Sequence, residues 1–290
     1  MADIEQIKKN KDKMDLAPNV DFVARHISLY QEGLQRLLAN PVTPLARAFA
    51  DSVQFENLEA IVQPQLTPEE IRQLLSVMPE SLIRLSKLTT VKYFGMVPVP
   101  TYDEQGNFSG KPEWVDYDEF PRASDHPSRI LVGVSTGTEI YSTPIPRTVS
   151  TNDLAVKMYQ THVFLHEFFH TLDYPRRDSA KRAAVVLEYD GEQFTLQDFW
   201  NEFEKLYLKE DKKFVSRYAA TYADKLNEET KVKEPAKFNS AIGEQICESF
   251  VGYMLGIISN DNQEIEFKRA HPEEYKLIDK VCRAKVIATD

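Results

Sequence analysis

Cysteine is nearly absent from the chain: Cys247 and Cys282 are the only two in 290 residues. That scarcity excludes a disulfide framework. The two also lack the C-x-x-C grouping of a structural zinc site, so both read as ordinary buried thiols. Long apolar runs are missing as well. Stretches such as Ala183–Leu187 and Ile246–Ile258 are too short or too interrupted to span a bilayer, and no membrane span is expected. Met1 to Lys13 is polar and charged with no apolar h-region, so no signal peptide is visible. The expected location is cytoplasmic, or exported without a visible signal peptide, and secreted if a leader has been removed. Positive charge is in deficit, with 35 Lys and Arg against 45 Asp and Glu and a net charge of −10. A phosphate-tracking surface is disfavoured by that balance, and no nucleic-acid partner is expected. Repeats and low-complexity tracts are absent. What is present is a 42% hydrophobic chain, ample for one large core or for a catalytic domain with a helical appendage.

Residues 1–17 read as a flexible charged arm. Val20, Val23, Ile27, Tyr30, Leu34 and Leu37 recur at helical spacing, which predicts a helix to Leu38. A second helix is expected from Pro44 to Ile61. Thr67-Pro68-Glu69-Glu70 has the form of a capping box with proline in the first turn and predicts a third, broken near Pro79 and reaching towards Leu88. Residues 18–88 thus form an N-terminal helical unit, a candidate partner-binding module. The pattern then changes to strands: Thr89–Phe94, Arg129–Ser135, and Glu139–Ile145 at an edge because of its prolines. The stretch between, Pro98–Pro127, reads as surface loop with a hairpin near Gln105-Gly106-Asn107. A long helix is expected from Asp153 to Leu172, a hairpin about Asp190-Gly191, and then helices over Gln197–Glu210, Phe214–Asn227, Ser240–Ser259 and Pro272–Ala284. Residues 89–290 form the second domain, and the fold class is α+β.

The string His166-Glu167-Phe168-Phe169-His170 carries the chemistry. Residues four apart share a helical face, so both imidazoles can reach one ion. Glu167 points its carboxylate at the same space, where a general base for water would lie. Phe168 and Phe169 fall on flanking faces that pack the helix into a core. His162, one turn earlier, reads as a packing histidine more readily than as a groove residue. Asp173 stays on the metal face and can orient an imidazole from behind.

A catalytic zinc needs a third protein ligand. The metzincin pattern, with Gly and His at the positions of Asp173 and Arg176, is excluded. Ser240–Ser259 is apolar on almost every side yet carries Glu244 and Glu248 on one face. Buried carboxylates need partners or a metal. Glu244 as ligand and Glu248 as support for a bound imidazole meets that need. Glu188 and Glu192 are rivals, but they flank a turn.

HEFFHTLD, then VSRYA (Val215–Ala219), then EQICESFVGYM (Glu244–Met254) resembles the gluzincin family, in the form known from anthrax lethal factor and related bacterial peptidases. The resemblance covers roughly residues 150–285. It departs from the family in the residues 221–240 that separate the Tyr-bearing stretch from the glutamate helix. It implies a zincin-like domain, with a small twisted sheet over the motif helix and a helical C-terminal lobe. It also implies one zinc ion and endopeptidase activity on protein or peptide substrates. Glu167 would take the proton of the attacking water, and a phenol would donate to the oxyanion. The family has a tyrosine near the position of Tyr218; Tyr222 and Tyr253 are alternates. An edge strand would hold extended substrate, with Glu139–Ile145 as candidate. The competing expectation is a non-catalytic metal-binding interaction protein on the same scaffold, disfavoured because Glu167 is of no use to metal binding alone.

Overall fold

The computed structural model describes residues 16–102, 108–116, 133–135, 137–145, 150–173, 178–260 and 264–289. Most of the expected charged arm and part of the polar excursion lie outside these residues. The chain opens with α1 (Leu16–Arg25), α2 (Ile27–Leu38), α3 (Pro44–Ser52), β1 (Gln54–Glu56), α4 (Pro68–Ser76) and α5 (Glu80–Leu85). Next come β2 (Thr90–Tyr93), the antiparallel pair β3 (Met96–Tyr102) and β4 (Phe108–Asp116), β5 (Gly133–Ser135) and β6 (Glu139–Ser142). The long α6 (Asp153–Asp173) leads to α7 (Ser179–Ala184), the hairpin β7 (Val186–Tyr189) with β8 (Glu192–Thr195), and α8 (Leu196–Tyr207). The remainder holds α9 (Arg217–Ala220), α10 (Glu228–Lys233), α11 (Pro235–Leu255), α12 (Phe267–Ala270), α13 (Pro272–Arg283) and β9 (Lys285–Ala288). The class is α+β, with small sheets set among helices. Among the described residues no helix is long and apolar enough to cross a membrane.

The main sheet has the order β1-β2-β6-β5 and packs through β5 and β6 on α6. β1, β2 and β6 run parallel, and β5 is antiparallel to β6. The edge expected at Glu139–Ile145 therefore lies inside the sheet. Its proline, Pro144, falls beyond the paired residues Glu139–Ser142, so it does not interrupt the ladder. Among the described residues β5 is the outer strand on that side.

The helix expected over Pro44–Ile61 stops at Ser52. Gln54–Glu56 instead pairs in parallel with Thr90–Lys92, a long-range ladder that overrides local helical spacing. A second correction concerns Phe214–Asn227, which has only the short α9 and a 3₁₀ turn at Ala223–Lys225. The first helix also breaks, at His26, whose backbone leaves the helical region at φ −115° and ψ 25°.

The N-terminal unit is not set apart from the rest. β1 lies in it and β2 outside it, yet they share a sheet. Val20, Tyr30 and Leu37 belong to the same continuous apolar cluster as Phe168, Phe250 and Val281. Helices α2 and α11 cross at Gly33, where any Cβ would collide with the Leu255 carbonyl oxygen. Arg36 donates to that same oxygen at 3.3 Å.

Candidate metal centre

Helix α6 begins where Asn152 Oδ1 accepts the Ala155 N–H at 3.1 Å. A Lys157–Glu70 ion pair ties its first turns to α4. Further on the helix is enclosed on every side, so Phe164, Leu165, Phe168 and Phe169 are buried together with His162, His166, Glu167, His170 and Asp173. Helix α11 lies against it. Pro235 occupies its first turn, and Gly256 ends it at φ 73°, a left-handed conformation that glycine adopts without a Cβ penalty.

The two helices meet along one polar seam. His166 Nε2 lies 3.0 Å from Glu244 Oε2 and 3.2 Å from His170 Nε2. His170 Nε2 is 3.5 Å from the same Glu244 oxygen. Three donor atoms from three side chains thus face one point. Metal–donor distances of about 2.0–2.1 Å in a tetrahedral zinc site imply donor–donor edges of about 3.3 Å. The observed separations bracket that value.

The outer nitrogens are also held. His166 Nδ1 donates to Glu248 Oε1 at 2.7 Å, and His162 Nε2 meets the same oxygen at 3.1 Å. His170 Nδ1 lies 3.4 Å from Cys247 Sγ. An ionised carboxylate only accepts, so Glu248 fixes the proton of a neutral His166 on Nδ1 and leaves Nε2 as a lone pair. That lone pair, the Glu244 oxygen and His170 Nε2 crowd one buried point, with Glu244 at 7% and His170 at 2% exposure. Such a cluster needs positive charge at its focus, from protons or from a metal. Burial alone would raise the Glu244 and Glu248 carboxyls. The imidazoles outweigh it, His170 and His166 for Glu244 and His162 and His166 for Glu248, and hold both well below the usual range. For His166, burial opposes the charge, but Glu244 and Glu248 overcome it and hold the imidazole well above its ordinary value.

Tyr218 reaches the site from α9. Ser216 caps that helix by accepting the Ala219 N–H, and the Tyr218 hydroxyl donates to Glu244 Oε2 at 3.1 Å. Its ring stands edge-on to His166 with centroids 5.7 Å apart. Burial first, then the Glu244 charge, push its phenol well above the usual range, so it stays a neutral donor. Tyr222 meets the Tyr218 hydroxyl at 3.0 Å, and burial first, then the Glu244 charge, push its phenol up as well. Tyr253 is elsewhere, bonded to Asp279 at 2.9 Å. Glu188 and Glu192 sit in the β7–β8 hairpin, and the carboxylate between the imidazoles is Glu244. Asp173 packs at Gly243, where a Cβ would lie 3.2 Å from its Oδ2.

Two contacts had no clear sign in the sequence. Cys247 reads as a plain buried thiol because no motif surrounds it, yet it faces a ring nitrogen of His170. Its sulfur, with the His166 and His170 rings, forms a second group of potential ligand atoms, all within 4.8 Å of one another. The sulfur faces Nδ1, whereas Glu244 faces the Nε2 atoms of both rings, so Glu244 completes the better set. His162 shares the Glu248 oxygen in place of a role in packing alone. Its only sequence signal is its place one turn before His166. Comparison of the chain with family models, curated proteins and solved structures found no match.

Proposed function

We propose that the chain is a zinc-dependent endopeptidase of zincin-like fold. The observation that carries this reading is the convergence of His166 Nε2, His170 Nε2 and Glu244 Oε2, with the outer nitrogen of His166 held by a carboxylate. His166, His170 and Glu244 would hold the ion, and their nitrogen and oxygen donors suit zinc. When bound, zinc lowers the pKa of a water and polarises a carbonyl.

The remaining steps belong to the chain's own side chains. Glu167, buried next to the first ligand on α6, accepts the proton of the attacking water. It returns that proton to the leaving amine. Tyr218, neutral across the physiological range, has a hydroxyl that can swing from Glu244 to a developing oxyanion. Tyr222 holds that hydroxyl from the other side. The outer strand β5, resting on α6, offers backbone groups to an extended substrate, the place first expected of Glu139–Ile145.

The test is cleavage of a peptide library by the purified protein, with and without chelator, beside Glu167→Gln. Chelation should abolish cleavage. Glu167→Gln should keep its zinc and lose about a hundredfold or more in rate, the contribution of a general base. A variant as active as the parent would remove Glu167 as the base, and a parent that cleaves nothing while holding zinc would be a metal-binding protein without peptidase activity.

A further inference from the structure

The two imidazoles are backed by unlike groups. Behind His166 stands a carboxylate at 2.7 Å; behind His170 stands the Cys247 sulfur at 3.4 Å, within the sulfur hydrogen-bond range. Cys247 is fully buried and one helical turn beyond Glu244 on α11, so the same helix that supplies a donor at the focus also backs the opposite ring. We propose that Cys247 is a positioning residue for His170: its sulfur accepts the Nδ1–H, fixes the tautomer, and turns Nε2 towards His166 and Glu244. The inference rests on the zinc-site reading above.

The geometry separates this role from that of a ligand. Sulfur faces Nδ1, while the shared focus lies off Nε2 on the other edge of the ring. A ligand sulfur would have to leave the hydrogen bond and cross the ring edge. The consequence is an asymmetric centre. Thiol sulfur is a weak acceptor, so it lends His170 less basicity than the Glu248 carboxylate lends His166. Orientation is what Cys247 supplies.

Three variants distinguish a hydrogen bond from simple filling of space. Cys247→Ala removes both acceptor and volume, Cys247→Val fills the space without an acceptor, and Cys247→Ser keeps an acceptor. Zinc affinity, measured by competition with a chromophoric chelator, should fall about tenfold in the Ala and Val variants and return most of the way in Ser. Equal affinity in all four proteins would overturn the proposal. Cobalt(II) loading of the parent should show no thiolate-to-cobalt charge-transfer band in the near ultraviolet. Such a band would make Cys247 a ligand and likewise overturn it. The imidazole ¹⁵N shifts of His170 in metal-free protein read the tautomer directly. They should show Nδ1 protonated in the parent and a mixture in Cys247→Ala. If the parent binds neither metal, the zinc reading fails on its own and these shifts still decide the role of Cys247. An unchanged tautomer in the Ala variant would refute it.

Discussion

Glu248 serves two imidazoles with a single oxygen, and Glu244 stands one turn before it with an oxygen between two ring nitrogens. Their consequences on substitution therefore differ. Glu248→Gln can turn only an amide to His166 and His162, and zinc affinity should drop about 10–100-fold with the ion still bound at saturation. Equilibrium dialysis against zinc buffers would reveal the drop, and an unchanged constant would remove Glu248 from the site. Tyr218→Phe deletes one hydroxyl and keeps the ring against His166. A donor to the transition state should cost about a hundredfold in kcat with KM and zinc content unchanged. If zinc affinity falls instead, the hydroxyl acts on Glu244 alone. At this scale much was legible. HEFFH at helical spacing, and two carboxylates in a nearly apolar helix, each demand a partner on physical grounds. Cys247 and His162 were not legible, because a thiol or imidazole on a buried face looks the same whether it packs or hydrogen-bonds.

Among the elements, helix ends were read well where side chains close them. Thr67 and Glu70 cap α4 reciprocally, with Thr67 N donating to Glu70 Oε2 at 2.9 Å. Thr67→Ala should cost about 1 kcal/mol in chemical denaturation, and no change would deny the cap a role. Burial tends to raise the Glu70 carboxyl, but hydrogen bonds from Lys157 and Thr67 win and lower it. A carboxyl lowered on folding stabilises above its unfolded pKa, and that contribution fades as pH falls through the folded value. The difference in stability between parent and Glu70→Gln should therefore shrink in acid, and a difference that grows there would contradict the assignment. The elements missed were those set by distant partners. Gln54–Glu56 is a strand only because Thr90–Lys92 lies beside it. The α2–α11 crossing belongs to the same class. Gly33→Ala would drive a methyl into the Leu255 carbonyl and should destabilise by about 1–3 kcal/mol or more. Parent-like stability would mean that the helices are further apart than described.

In the whole molecule, the N-terminal helices and the candidate metal centre share one core. A boundary at residue 88 was expected from the change in pattern between helices and strands. Composition does not report that β1 completes a sheet begun after that boundary, or that Tyr30 packs in the same cluster as Phe168. Removal of residues 1–88 should therefore leave an insoluble or unfolded chain, whereas the remainder would fold if the unit were separable. Zinc that binds only the folded state adds stability by mass action, about 4 kcal/mol at a free concentration a thousand times Kd. The most direct measurement is the zinc content of the purified parent beside that of Glu244→Ala, by elemental mass spectrometry after dialysis. The expected result is about one zinc per chain in the parent and close to none in the variant, since Glu244 supplies the third donor. A parent without zinc, or a variant that keeps it fully, would contradict the centre formed by His166, His170 and Glu244.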